Sequence, residues 1–267
     1  MIVKADTGLV HKLYAASNFE PRREGQRPSI LILHYTGVAS AAKAIEWLSR
    51  PDSRVSCHYV IDETGCITQM VAEAARAWHA GEASWAGETD INSASIGIEI
   101  QNPGHELGYP DFPESQLAAI EALARDISTR HGIRPERVLA HSDVAPRRKI
   151  DPGEKFPWGR LAAAGVGHWV EPAPLVDAEP GIGVGAAGPP FAELQRQLRD
   201  YGYAIEPTGL VDGATELVVK AFQRHFRPAR VDGRIDASTI ATLERLAAAL
   251  PAVAAYGHRR PASSPNA

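Results

Sequence analysis

Hydrophobic residues in the first 170 positions fall mainly into short runs and alternating segments, the two patterns typical of β-strands. Residues 29–34 and 137–141 are apolar runs, and each ends in a histidine. Residues 95–101 alternate, so that three isoleucines face one side of a strand while Glu99 and its small or polar neighbours face the other. Residues 58–70 contain a glycine turn between two apolar segments and predict a β-hairpin.

Two helical patterns lie among these strands. Residues 39–50 have helical composition and stop before a proline, and residues 114–130 are amphipathic and stop at Gly132. Strands interspersed with helices predict an α/β domain in which helices flank a mixed central sheet.

The C-terminal quarter of the chain has a different pattern. Residues 191–250 place apolar side chains at helical spacing and contain none of the five tryptophans of the chain. Asp212 and Asp236 each stand three residues before a threonine, at positions typical of helix N-caps. This segment therefore predicts a small three-helix domain.

The boundary between the two regions is a change in composition. The segment before the helical region consists mostly of Pro, Gly and Ala, and such a stretch buries too little surface to offset its ordering entropy. The sequence therefore predicts a first domain over residues 1–170, a linker over 171–190, the helical domain over 191–250 and a disordered tail over 251–267.

Composition and charge exclude several classes of protein. The 267 residues are 44% hydrophobic and 22% charged, as in an ordinary globular protein. With 28 basic and 32 acidic residues, the chain is not a general polyanion binder, and nucleic acid is not an expected partner. Two cysteines, Cys57 and Cys66, are too few for a disulfide scaffold, and both are expected to be reduced. No apolar run is long enough to span a membrane, and no signal peptide is recognised at the start.

Two histidines and one aspartate suggest a metal site. His34 and His141 both end predicted strands, and strand ends are where α/β domains commonly present functional groups. Asp151 follows His141 by ten residues. Two imidazoles and one carboxylate, with a fourth position open to water, would suit catalytic zinc. The alternative is that His34 and His141 are unrelated histidines that the fold does not bring together.

Glu99 is the one acidic residue on its predicted strand and lies on the face with the small residues. A buried carboxylate is costly unless it has a partner or a function, so Glu99 is a candidate catalytic residue. The alternative is a glutamate on an edge strand that faces solvent.

Three motifs then point to a family. The sequences HYTG at His34, SIGIEI around Glu99 and HSDVAPRRKIDPG from His141 resemble those of zinc-dependent N-acetylmuramoyl-L-alanine amidases of the AmpD/AmiD type. The resemblance covers about residues 29–158, and the same fold occurs in peptidoglycan recognition proteins. It implies that the chain is an amidase that hydrolyses the bond between the lactyl group of N-acetylmuramic acid, or its anhydro form, and the L-alanine of the stem peptide.

The resemblance also implies roles for individual residues. His34, His141 and Asp151 fall on the ligands of one Zn²⁺ per chain, and Glu99 falls on the general base that acts on the zinc-activated water. Lys149 falls on a lysine that stabilises the oxyanion, although in its basic loop it would otherwise be read as solvated.

A second group of residues resembles the substrate cleft of the family. Aromatic faces suit sugar rings and the apolar side of a lactyl-peptide, and an arginine suits a carboxylate of the peptide. For Trp85 and Tyr35, packing in the core is the alternative. The predicted substrate-binding residues are Trp78, His79, Trp85, Arg148 and Tyr35.

The predicted helical domain resembles the peptidoglycan-binding module of cell-wall hydrolases. The alternative is a bundle that only packs on the first domain. The expected partners of the chain are therefore peptidoglycan or muropeptide fragments, and the competing function is a catalytically silent peptidoglycan-binding protein. With no signal peptide recognised, a cytoplasmic location is expected, and the cell envelope is the alternative that a wall-binding module favours.

Overall fold

The computed structural model describes residues 4–23, 25–176 and 180–250. Its strands are β1 (Lys12–Leu13), β2 (Phe19–Pro21), β3 (Ile30–Tyr35), β4 (Tyr59–Ile61), β5 (Ile67–Gln69), β6 (Ala75–Ala77), β7 (Ser95–Ile100) and β8 (Val138–Ala140). Its helices are α1 (Ala41–Ser49), α2 (Ile91–Ala94), α3 (Glu114–His131), α4 (His141–Val144), α5 (Trp158–Ala163), α6 (Pro189–Tyr201), α7 (Gly213–Phe226) and α8 (Ala237–Ala248). Within the described residues, no helix combines the length and the apolar character that a membrane span requires.

Six strands form one mixed sheet, as the sequence predicts. Their order is β1-β5-β4-β7-β3-β8, and every neighbouring pair is parallel except β4 with β5. That antiparallel pair is the predicted hairpin. Its glycine, Gly65, has a φ of +84°, and a Cβ there would lie 2.5 Å from the Ser115 carbonyl oxygen at the start of α3. A glycine is therefore needed where the hairpin meets this helix.

The register of the central strands aligns two predicted site residues. β3 pairs with β7 in parallel so that His34 lies opposite Glu99. β8 pairs with the other edge of β3, with Leu33 opposite Ala140. His141 does not end the strand as predicted but is the first residue of α4, directly after β8. His34, Glu99 and His141 therefore all start from the C-terminal ends of neighbouring strands, at one edge of the sheet.

The two faces of the sheet are covered by different parts of the chain. Successive residues of a strand point to opposite faces. Leu31 and Leu33 of β3 join a buried cluster with residues of α3. Ile30 and Ile32 join a second cluster, which contains Phe222 and other residues of α6, α7 and α8. The C-terminal helices therefore share a core with the sheet.

Aromatic side chains lie between the sheet domain and these helices. Trp85 is only 1% exposed, and its ring packs edge-on against Tyr203 at 4.9 Å and Tyr201 at 6.0 Å between centroids. The amide of Ala86 donates a hydrogen bond of 2.8 Å to the carbonyl oxygen of Gly202. The predicted caps of this region are confirmed, since Asp212 and Asp236 accept hydrogen bonds from the amides at the starts of α7 and α8.

Parts of the segment predicted as a linker contact the C-terminal helical region. Ala173 exchanges hydrogen bonds with the hydroxyls of Ser238 and Thr242, at 2.6 and 3.0 Å. Ile182 forms a β-bridge with Ile235 in the loop before α8. Helix α6, the first of the C-terminal region, begins at Pro189 and not at residue 191, and it has proline in its first turn. Residues 177–179 and the predicted tail, 251–267, lie outside the described residues.

Gly202 provides a test of the packing between the two regions. It has a φ of +144°, and a Cβ there would lie 2.4 Å from the Trp85 ring. We expect Gly202→Ala to lower the free energy of unfolding by about 3 kcal/mol, through backbone strain and overpacking. Urea unfolding of the full chain measures this.

Gly213→Ala is the matched control for this substitution. Nothing lies within 4 Å of a Cβ at Gly213, which is the first residue of α7. Its unfolding midpoint should equal or exceed that of the parent protein, because alanine favours a helix. Equal midpoints for both variants would show that the two regions are not packed together at Gly202.

Candidate active site

Three predicted ligand atoms converge at the edge of the sheet. His34 Nδ1 lies 2.9 Å from His141 Nδ1 and 3.2 Å from Asp151 Oδ2, and the last two atoms are 3.0 Å apart. All three residues are buried. A tetrahedral zinc site with ligand distances of about 2.1 Å has edges of about 3.4 Å between its ligand atoms. The alternative of two unrelated histidines is therefore wrong, and the donor set fits one zinc ion.

Hydrogen bonds on the far sides of the imidazole rings orient these ligands. His141 Nε2 donates to the carbonyl oxygen of Ala80 at 3.1 Å, which leaves the lone pair of Nδ1 for a metal. The amide of Ser142 donates to the carbonyl oxygen of Asp151 at 3.0 Å, so the segments that carry two of the ligands are joined directly.

His34 is oriented by a chain of three hydrogen bonds. Its Nε2 lies 3.0 Å from His79 Nδ1, and His79 Nε2 lies 3.2 Å from the Ser95 hydroxyl. That hydroxyl donates to the carbonyl oxygen of Ile91 at 2.5 Å. It must therefore accept from His79 Nε2, so His79 Nδ1 accepts from His34 Nε2 and the lone pair of His34 Nδ1 is left for a metal. A Cβ on Gly97 would lie 2.5 Å from the His79 ring, so only glycine allows this histidine to lie against β7.

The surroundings of His34 and Asp151 shift their pKa values in the directions that suit metal ligands. Burial, together with the charge of His141, lowers the pKa of His34 to about 4, so its imidazole is neutral at neutral pH. Burial alone would raise the pKa of Asp151, but the adjacent His141 and His34 lower it below the usual range. A neutral imidazole and an ionised carboxylate are the forms that bind a metal.

Glu99 lies in the same cavity as the ligands His141 and Asp151. Its Oε2 is buried and has no hydrogen-bond partner among the described residues. Burial and the charge of Asp151 raise its pKa well above the ordinary value, while the charge of Lys149 opposes that rise. An unpartnered carboxylate beside a metal site is suited to exchange a proton with a water bound there. The solvent-facing alternative for Glu99 is wrong.

Two families match the chain, one for each region. A family of N-acetylmuramoyl-L-alanine amidases matches residues 24–154, and a family of peptidoglycan binding domains matches residues 187–243. The N-acetylmuramoyl-L-alanine amidase AmiD of Escherichia coli is 35% identical to this chain over 90% of it and 91% of that protein. The chain belongs to the N-acetylmuramoyl-L-alanine amidase family.

Solved structures of relatives share the fold of this amidase. One is AmiD of Escherichia coli in complex with the substrate anhydro-N-acetylmuramic acid-L-Ala-D-γ-Glu-L-Lys, with a TM-score of 0.71, 35% identity, and coverage of 86% of this chain and 91% of that one. Another is AmpDh3 of Pseudomonas aeruginosa in complex with anhydromuramic pentapeptide, with a TM-score of 0.73, 34% identity, and coverage of 94% and 100%. The predicted fold and enzyme class are confirmed.

The cleft of the amidase consists of two adjoining cavities of about 300 and 340 Å³. Trp78, His79, His141 and Lys149 line both cavities, which places Lys149 at the candidate metal site. The Trp78 indole N–H is buried and has no partner among the described residues, so it is a donor available to a ligand. Tyr35 lines the first cavity, and its hydroxyl is hydrogen-bonded to a neighbouring histidine.

Arg148 makes a different contact from the one predicted. Its Nη2 donates to the carbonyl oxygens of Ala80, at 3.0 Å, and of Glu82. The Ala80 oxygen is also the acceptor for His141. The Arg148 side chain lines the second cavity. Its two bonds hold the loop of Ala80 and Glu82, and this loop orients the metal ligand His141. These bonds indicate a role in positioning His141, and the contact with a substrate carboxylate stays a prediction.

Trp85 lies outside the cleft, and its predicted substrate contact is corrected. Neither cavity includes it, because its ring is enclosed by residues 201–203 of the C-terminal region. A larger cavity of about 890 Å³ lies beside it, between the two regions. Of the predicted site residues, none lines this larger cavity.

Trp47 is a cleft residue that the sequence analysis missed. It lies on α1, is 49% exposed and lines the cavity that holds Glu99 and Asp151. A signal for it was present in the sequence. The buried positions of α1 are Ala41, Ala44 and Leu48, and the indole falls outside this apolar stripe. The helical pattern therefore gives Trp47 no place in the core, and this is the signal that the sequence offers.

His58 is a buried histidine outside the ligand set. Its Nδ1 accepts a hydrogen bond of 3.0 Å from the amide of Gly97, and its Nε2 lies 3.1 Å from the carbonyl oxygen of Ala75. Burial and the charge of Arg22 lower its pKa to about 3. His58 is therefore a neutral ring that links β6, through Ala75, to β7, through Gly97.

The pKa of His58 predicts how stability depends on pH. The unfolded chain takes up a proton on this residue below about pH 6.5, whereas the folded chain does not until about pH 3. The free energy of unfolding of metal-free protein should therefore fall as pH falls below about 6.5. In His58→Gln this slope should be shallower, by a difference that grows to about 1.4 kcal/mol per pH unit near pH 5, because glutamine does not titrate.

Urea unfolding of chelator-treated protein at several pH values between about 7 and 5 measures the slope. The slope, rather than the absolute stability, is the readout, since the substitution also changes hydrogen bonds. If parent and variant had the same slope, His58 would be titrating with an ordinary pKa in the folded protein.

Proposed function

We propose that this amidase cleaves the amide between the lactyl group of anhydro-N-acetylmuramic acid and the L-alanine of the stem peptide, with one zinc ion in the site. The observation that carries the proposal is the convergence of His34, His141 and Asp151 beside the unpartnered Oε2 of Glu99, at a cleft. Bound zinc would supply a Lewis acid that polarises the amide carbonyl and acidifies the attacking water.

Zinc is the metal that suits this donor set. Two imidazoles and one carboxylate leave a fourth tetrahedral position for water or substrate, which is the pattern of catalytic zinc sites. The hydrogen bonds from His34 to His79 and from His141 to Ala80 provide the outer contacts that such ligands usually have.

The residues of the chain have separate roles in the proposed reaction. Glu99 accepts a proton from the water while the oxygen of that water forms a bond to the amide carbon. Negative charge then develops on the carbonyl oxygen, and the Lys149 ammonium stabilises it from the wall of the cleft. As the carbon–nitrogen bond breaks, Glu99 delivers the proton to the leaving amine, so free stem peptide and the sugar acid are released.

The ligands of the solved relatives support the substrate class. The complexes of AmiD and AmpDh3 contain anhydromuramyl peptides. In this chain, Trp47 and Trp78 offer aromatic faces at the cleft that suit a sugar ring and the apolar edge of the lactyl group. The competing function, a catalytically silent binder, is disfavoured because all three ligands, Glu99 and Lys149 are present at one site.

Glu99→Gln tests the catalytic assignment. We expect it to lower kcat by about 10²- to 10⁴-fold, because the amide side chain neither accepts nor delivers a proton. Mass spectrometry of a digest of purified anhydromuropeptides measures the release of free stem peptide. Chelation of the parent protein should abolish release, and added Zn²⁺ should restore it.

Glu63→Gln is the matched control, since Glu63 is exposed at the hairpin turn. It should retain the parent rate, and the zinc content of both variants should equal that of the parent. Activity of Glu99→Gln close to the parent rate would overturn the role of Glu99. An inactive parent protein that still binds muropeptides would favour the silent binder.

Trp47→Ala tests the proposed substrate face. We expect KM to rise about 3- to 10-fold with little change in kcat, because an aromatic contact of about 1 kcal/mol is lost from substrate binding. Tyr14→Ala is the control, since Tyr14 is similarly exposed at 51% and lines neither cavity of the cleft. An unchanged KM for Trp47→Ala would place the sugar elsewhere in the cleft.

A further inference from the structure

We propose that the C-terminal region positions the metal ligand His141 through Asp143, which it holds with Tyr203 of the loop after α6 and His225 of α7. The C-terminal region would then be part of the catalytic centre as well as a module that binds peptidoglycan. This inference rests on the proposed metal site.

The carboxylate of Asp143 is completely buried and accepts three hydrogen bonds. Its Oδ1 accepts from the Tyr203 hydroxyl at 2.7 Å, and its Oδ2 accepts from His225 Nδ1 at 2.6 Å. The third donor is the amide of Ala140, 2.8 Å from Oδ2. Two of the three donors thus come from the C-terminal region, across the boundary between the two domains.

Asp143 lies in the structure that presents His141. The residue is the third of α4, and His141 is the first. Its bond to the amide of Ala140 spans the junction between β8 and α4, so the carboxylate fixes the backbone turn from which the ligand projects. A shift of Asp143 would move this turn and, with it, His141 Nδ1.

His225 also contacts the segment that follows the third ligand. Its ring stacks on Trp158 at 3.7 Å between centroids and on Phe226 at 3.8 Å. Trp158 begins α5, shortly after Asp151 in the chain. One side chain of α7 therefore contacts both of the segments that flank the metal ligands His141 and Asp151.

The two donors matter because a buried carboxylate requires partners for its oxygens. Without Tyr203 and His225, Asp143 would keep one bond, from Ala140, in a site closed to water. Such a group is strongly unfavourable, and the surrounding backbone rearranges to hydrate or neutralise it. We therefore describe Tyr203 and His225 as positioning residues, which act on the metal through Asp143 and His141.

Crossed substitutions in the full chain separate the hydrogen bonds from the packing. His225→Phe keeps an aromatic ring on Trp158 and removes the donor, whereas His225→Asn keeps an N–H near the position of Nδ1 and removes the ring. Tyr203→Phe removes only the hydroxyl donor. The readouts are the zinc dissociation constant, by competition with a chromogenic chelator, and kcat and KM on anhydromuropeptides.

We expect His225→Phe and Tyr203→Phe each to weaken zinc binding about tenfold, the usual effect of losing an outer contact of a metal ligand. Their kcat should fall and their KM should stay within about twofold of the parent value. His225→Asn should retain most of the zinc affinity. Zinc affinity would then depend on the hydrogen-bond donor and not on the aromatic ring. A merely structural role of His225 would not produce this dependence.

Tyr201→Phe is the matched control for Tyr203→Phe. The Tyr201 hydroxyl is bonded to His168 at 2.8 Å, within the same interface but without contact to Asp143. It should lower the melting temperature to a similar degree and leave zinc affinity unchanged. If Tyr203→Phe and Tyr201→Phe had the same zinc affinity, the inference would be wrong. A parent protein that binds no zinc would instead overturn the proposed metal site.

Discussion

The parallel pairing of β3 with β7 and β8 is the constraint on which the site depends. It places His34 opposite Glu99 and starts His141 from the next strand, at the same edge of the sheet. Because a slip of one residue would turn each side chain to the other face, the buried isoleucines and leucines that fix this register also fix the chemistry. The loop after α4 then needs only to return Asp151 to that edge.

Hydrogen bonds to the outer ring nitrogens of the two histidine ligands fix the orientation of their imidazole rings. His34 is held through His79 and Ser95, and His141 through Ala80. The C-terminal helices cover the face of the sheet next to these contacts, and α7 and the loop before it supply donors to Asp143. The two regions therefore share a core and a buried polar network.

Strand patterns indicate His34, His141 and Glu99 because they report both the face and the end of a strand, whereas Asp151 is indicated by its spacing from His141 and by the motif that resembles the amidases. Sequence reasoning was less successful with residues in loops, whose partners lie far along the chain. Trp85 packs against residues more than one hundred positions away, and no local pattern reports such a contact. The bonds that Arg148 makes to carbonyl oxygens are likewise absent from any local pattern, because a sequence does not show which carbonyl oxygens a guanidinium will meet.

The most direct test of this account is anomalous X-ray scattering at the zinc absorption edge, from crystals of the protein grown with Zn²⁺. The account predicts one strong peak within about 2.3 Å of His34 Nδ1, His141 Nδ1 and Asp151 Oδ2. A peak held by other residues, or no peak at these three atoms, would contradict it.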